Sequence, residues 1–220
     1  MKTAWIHLVF GLMLVMPLTG CGHIFGAILS SKSDIRPAVF QLEKMSGDIY
    51  RRRILIVVDD DYHLLKQSNA KFMMGAGIQA LLIKNETFKN EQFVSQKKLN
   101  DLISKLGWTE YNKLSIYGIG KKLDASHIIF VEVHSMTLNS NAGHGIRPVG
   151  MTKVRVYDVK EKKRVFPKTH NRSYPVKSQL FYDAKVTTDK RDEVGRNLLA
   201  RMTRDVARLF YEYDYKTFEN

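Results

Sequence analysis

Apolar residues recur along this chain in two rhythms, and together they predict buried strands alternating with one-sided helices. The run Ile54 to Val58, between Arg53 and Asp59, is aliphatic throughout, the pattern of a strand buried on both faces. Asn69 to Lys84 reads as a helix with a weak centre at Gly75 and Gly77. Val94 to Leu106 predicts a second helix, with Leu99, Leu102, Ile103 and Leu106 on one stripe and Gly107 at the C-cap. A third spans about Leu114 to Leu123, and a strand follows in "HIIFVEVHSMTL" from His127. After the Gly-rich stretch 139–150, Val154 and Val156 alternate with Lys153, Arg155 and Tyr157. That alternation predicts a hairpin with one wet face, turning at Lys160 to Lys163 and stopped by Pro167. A further strand is expected near Asn171 to Val176. The last helix is expected from Arg191 to about Tyr213, striped by Val194, Leu198, Met202, Val206, Leu209 and Tyr213. Asp189 is its expected N-cap, and Asp192 and Glu193 suit the first turn's dipole. The order predicts an α/β fold: a single domain with a mixed sheet of about four to five strands, flanked by helices and closed by a C-terminal amphipathic helix.

The first residues follow another logic. Lys2 precedes the apolar stretch Leu8 to Met16, then Pro17 and the small residues Thr19 and Gly20. This is the layout of a secretory signal, with a core too short to span a bilayer as a mature helix. Leu18-Thr19-Gly20-Cys21 resembles the lipobox of bacterial lipoproteins. The resemblance implies that the Cys21 thiol receives a diacylglycerol, that the chain is cut before it, and that the new amine is acylated. Several acyl chains anchor a protein stably where one does not. Gly22, rather than Asp, implies by the sorting pattern of such lipoproteins an outer-membrane address on the periplasmic face. The expected organisation is a signal peptide at 1–20, a lipidated tether at 21–48 and a periplasmic α/β domain at 49–220. The apolar "HIFGAIL" in the tether would either lie against the membrane or dock on the domain.

Cys21 is the only cysteine. Once lipidated it leaves neither a free thiol nor a disulfide, so the domain must be stable from its core alone in an oxidising compartment. The charge is strongly basic, with 35 Lys and Arg against 22 Asp and Glu. In an exported protein this favours lipid headgroups or anionic envelope polymers over nucleic acid.

The stretches "LDASHIIFVEV" and "VRVYDVKEKKRVF", placed as they are, make the domain resemble a known family. It is the α/β domain of envelope lipoproteins related to the curli secretion channel and to the activators of penicillin-binding proteins. In that family the helix ends near Leu-Gly-Ala-Asp and the hairpin turn usually holds Gly. Here the turns read Leu123-Asp124-Ala125-Ser126 and Lys160-Glu161-Lys162-Lys163, both without Gly. Members act as secretion pores, synthase activators or unassigned surface proteins, so the fold does not choose among these roles.

Side chains that could carry chemistry are few. Asp59, Asp60 and Asp61 end a buried strand where ligand crevices form, and with His63 they could hold a divalent cation. Alternatively they form a solvated turn capping the next segment. His127, His134, His144 and His170 lack zinc-ligand spacing. No G-x-S-x-G elbow occurs. The glycines at 143, 145 and 150 precede a strand rather than a helix, so they offer no phosphate cradle. The remaining candidate is a partner-binding surface: Gly143, His144, Gly145 and Arg147 of the loop with Lys160, Lys162, Lys163 and Arg164 of the hairpin.

The expected function is that of a non-enzymatic outer-membrane lipoprotein acting by protein–protein contact in envelope assembly or secretion, without a cofactor. Alternatives are a subunit of a multimeric export channel and a binder of anionic polymer or lipopolysaccharide. Expected partners are the membrane, through the N-terminal lipid, and an envelope protein. A homo-oligomer is a further option, and nucleic acid is not expected.

Overall fold

Strand β1 (Ile54–Asp59) sends alternate side chains into two separate cores, which is why its sequence shows no polar face. The computed structural model describes residues 35–41, 52–60, 63–65, 69–138, 141–142, 145–169, 172–182 and 190–215. Expectations for residues 1–34, including Cys21, and for Arg51, Asp61, Gly143, His144, His170 and Asp189 lie outside the described residues. After β1 come α1 (Ala70–Lys84), α2 (Gln96–Leu106), α3 (Trp108–Asn112) and α4 (Ile116–Lys122). Then follow β2 (His127–Thr137), β3 (Val149–Asp158), β4 (Lys163–Phe166), β5 (Tyr174–Gln179) and α5 (Arg191–Ala207). The five strands form one mixed sheet flanked by helices, the expected fold class.

β1 and β2 are parallel, with Ile54 opposite His127 and Asp59 opposite Glu132. β3 runs antiparallel to β2 and is long enough for two strands to share its far edge. β5 pairs with Val149 to Val154, and β4 pairs with Val156 to Asp158. The outer edge of β1 is covered rather than left open. Val94 N–H donates to Ile54 O at 2.9 Å and Gln96 Nε2 to Ile56 O at 2.8 Å. Such cover removes a template for stray strand pairing.

One face of the sheet packs Ile54, Ile56, Ile129, Val131 and Val154 against Met74 and Ile78 of α1 and Leu198 and Met202 of α5. The other packs Leu55, Val57 and Ile128 against Leu99, Ile103, Tyr111 and Ile119. Each large aliphatic side chain so buried contributes about 1.5–3 kcal/mol. The weak centre of α1 has a packing purpose: a Cβ on Gly77 would meet Thr203 Cγ2 of α5 at 2.8 Å. On β3, Thr152, Val154 and Val156 are buried while Lys153, Arg155 and Tyr157 are not, the expected one-wet-face hairpin.

The C-terminal helix is shorter than its apolar stripe suggests. Leu209 and Phe210 stay in the core, but the helix stops at Ala207 and tightens into bonds from Leu209 N to Val206 O and Phe210 N to Ala207 O. The cause is tertiary. Leu209 O accepts the Phe40 N–H at 2.9 Å, and the Phe40 ring packs 4.9 Å from Phe166 and edge-on to Phe210. The compact unit therefore spans 38–211, reaching into the stretch expected to be tether. In a second unit, Ile35–Arg36 pairs antiparallel with Tyr213–Asp214. Among the described residues no helix is long and apolar enough to cross a membrane.

Candidate interaction surfaces at the two ends of the sheet

At the carboxyl end of β1 the strands are unequal. β1 stops at Asp59, opposite Glu132, while β2 continues to Thr137. The space left on the α2–α3 side is a cleft of about 870 Å³, lined by Asp59, Asp60, Phe72, Trp108, Tyr111 and Phe130 among others. Gly107 (φ 75°) caps α2 and turns the chain directly into α3, which sets Trp108 at the cleft. Trp108 is 49% exposed. Its ring lies edge-on to Tyr111 at 5.8 Å, and Lys71 Nζ sits 4.6 Å from its centroid. Tyr111 is buried, and its phenol pKa is pushed up to about 12, first by burial and then by the Asp59 carboxylate.

The two described aspartates of the triplet have different tasks. Asp59 faces the cleft. The buried Asp60 carboxylate accepts the Leu64 N–H at 2.9 Å and the Leu65 N–H at 2.8 Å, stitching the turn after β1. Among the described residues no group of three His, Cys, Asp or Glu side chains converges on a metal-sized site. His127 and His134 are also apart: His127 is buried, while His134 lies 3.0 Å from Lys153 Nζ on the open face.

At the amino end the strands start level, and backbone and polar side chains close the gap. Arg53 N–H donates to Ser126 Oγ at 2.9 Å, Ser126 N–H returns a bond to Arg53 O at 2.7 Å, and Val159 N–H donates to Ser126 O. His127 and Asp158 are both 2% exposed, with Nε2 and Oδ2 3.8 Å apart. Burial lowers the His127 pKa; Asp158 opposes that effect and Arg52 adds to it. Asp158 Oδ1 accepts the Glu161 N–H at 2.9 Å and so shapes the hairpin turn. Both turns manage without glycine because another residue takes the left-handed position. Asp124 has φ 53° and is held by Arg53, and Lys162 has φ 47°.

The surface expected from the sequence is divided. Gly145 pairs through its backbone near the start of β3, and Arg147 stacks on Phe181 at 5.2 Å. Lys160 and Lys162 follow its other end and Lys163 and Arg164 pair beside it, where Arg164 donates to Arg172 O at 2.6 Å. A ten-residue strand separates the two groups by about 30 Å. Sequence reasoning also missed Trp108, Tyr111 and Lys71. The available signal was a Trp placed directly after a helix-capping Gly, off the stripe of either flanking helix.

No family model and no curated protein matches the sequence. Among solved structures the chain is similar to lipoprotein GNA1162 from Neisseria meningitidis, at 9% identity and a TM-score of 0.44, covering 70% of this chain and 99% of that one. The PelC dodecamer from Paraburkholderia phytofirmans matches at 9% identity and 0.40, over 80% and 98%. The LpoB C-terminal domain from Salmonella enterica matches at 13% identity and 0.34, over 59% and 82%. Lipoproteins from Caulobacter crescentus and Acinetobacter baumannii are also among the solved structures to which it is similar.

Proposed function

We propose that this chain is an envelope lipoprotein, acylated at Cys21 in the outer membrane and facing the periplasm, that acts by holding a protein partner rather than by catalysis. The observation that carries the reading is the cleft at the carboxyl end, with a half-exposed Trp108 edge-on to Tyr111 and a lysine beside it. Trp and Tyr anchors in a partly enclosed pocket are the residues that dominate protein interfaces. Open α/β sheets bind their ligands at this end. The 145–147 stretch leads into β3 at the same end of the sheet but does not line the cleft, and the hairpin lysines lie at the opposite end. The carboxylates nearby have other tasks: Asp60 holds two backbone amides, and Asp59 stands beside a phenol that burial keeps protonated.

Two measurements test it. A photo-crosslinking residue at position 108 in intact envelopes should capture one discrete protein, and the same probe at exposed Asn100 should not. No adduct at 108 would reject the cleft as the contact site. Labelling with an alkyne fatty acid should mark the wild type and not Cys21→Ser, and equal labelling would reject the anchor.

A further inference from the structure

Charge collects at the end of the sheet that the cleft does not use. α4 finishes in Lys121 and Lys122, in a last turn where cations suit the helix dipole. Gly120 lets this helix settle on the end of the hairpin, since a Cβ there would meet Val159 Cγ2 at 2.6 Å. Lys121 and Lys122 are thereby brought beside the turn that carries Lys160, Lys162 and Lys163. On its other side, Lys122 shares a shallow groove with Arg53, Lys98, Asp101 and Lys105. All seven of these lysines are exposed. The acids among them are Asp101 and Glu161, besides Asp124, which pairs with Arg53, and Asp158, which is buried.

We infer that this basic pole docks on the phosphates of anionic lipid headgroups, as a second membrane contact beside the N-terminal lipid. Lys98, Lys105 and Lys122 border the shallow groove while the other four stand on the end of α4 and the hairpin beside it, a spread of charge that matches a plane of phosphates better than a single polymer strand. Each lysine held near an anionic bilayer adds to binding, and a polybasic patch is one of the signals that turns marginal lipid anchoring into stable anchoring. The connection is short enough: Cys21 precedes Ala38, the first residue of the compact unit, by 17 residues, at most about 60 Å of extended chain. With the pole on the bilayer, the aromatic cleft at the other end of β1, about 20 Å away, points to the periplasm. That orientation rests on the lipoprotein reading of Cys21; the headgroup contact does not.

The test uses the chain from Gly22 to Asn220, which keeps every described residue and carries no acyl group. It should sediment with vesicles of phosphatidylcholine plus phosphatidylglycerol and not with phosphatidylcholine alone, and salt should release it. Lys121→Gln with Lys160→Gln should lower partitioning about thirtyfold. Lys177→Gln with Arg196→Gln, exposed and towards the opposite end, removes the same net charge and should lower it about threefold or less. Unchanged melting temperatures would keep both pairs interpretable. Equal losses from the two pairs, equal binding to neutral vesicles, or complete displacement by soluble polyphosphate at matched phosphate would each overturn the inference. Failed labelling of Cys21 would remove the anchor and leave the vesicle result standing.

Discussion

At the carboxyl end of the sheet β2 runs on after β1 has stopped, and side chains must furnish the space; at the amino end Ile54 and His127 start level, and turns fill it. The first arrangement leaves a cleft walled by Phe72, Trp108, Tyr111 and Phe130. The second leaves no cavity of that size among the described residues, but it buries Arg52, His127 and Asp158 and pushes the lysines outward. Unequal strands thus open a cleft with aromatic walls, while level strands make a closed, charged cap. The difference also separates two surfaces that the basic composition alone would have merged.

The comparison can be broken most severely at Asp158. Asp158→Ala removes the acceptor of the partly buried Glu161 N–H that shapes the hairpin turn, and it takes a buried carboxylate away from beside His127. Urea denaturation should show a loss of about 3 kcal/mol. A loss below about 1 kcal/mol would mean that the polar cluster does not hold this end.

Gly120→Ala comes next, because the added methyl would press on Val159 and Ile128. It should cost about 1–3 kcal/mol by overpacking, and it should also weaken vesicle binding by lifting Lys121 and Lys122 from the turn. Normal stability in this variant would sever α4 from the hairpin cap.

Acid should then weaken the amino end in a way that one residue controls. The pKa of His127 in the folded state lies below the ordinary value of 6.5, so as pH falls the unfolded chain takes up the proton first. Its contribution is complete above about pH 6.5 and declines below it, by at most about 1.4 kcal/mol per pH unit. His127→Gln should flatten that slope in denaturation series at neutral and mildly acidic pH. An unchanged slope would assign the acid sensitivity to other groups.

The smallest stability change belongs to the cleft. Trp108→Ala loses an edge-on ring contact worth about 0.5–1.5 kcal/mol, on a residue that is already half in water. Thermal melting should move little, while crosslinking from a probe at neighbouring Asn112 to the envelope partner should disappear. Retained crosslinking would move the contact away from the tryptophan.

Much of this fold was legible in the sequence because burial on one or two faces leaves a short-range pattern. The unbroken run Ile54 to Val58, the alternation around Val154 and the stripe from Val194 to Val206 all announced their elements. Helix α3 did not, since its five residues are too few to show a period. The end of α5 was misplaced because Tyr213 continues the stripe, whereas the stop comes from a hydrogen bond to Phe40, far away in the chain. For Asp60 the capping of the next segment was legible, but not its burial, which depends on where the Leu64 and Leu65 amides point. The hairpin lysines were seen, but Lys98, Lys105, Lys121 and Lys122 each look like an ordinary solvated helix face when read alone.

The sequence by itself determined most of the elements, the two-sided burial of the first strand, the early charged-then-apolar segment and the single cysteine at its end. These depend on neighbours within a turn or two of chain, where spacing and residue type suffice. Only the tertiary structure decided that aromatic residues gather at one end of the sheet and lysines at the other. Strand register sets both ends, aligning Ile54 with His127 and His127 with Asp158. Register links segments tens of residues apart, so no local pattern carries it.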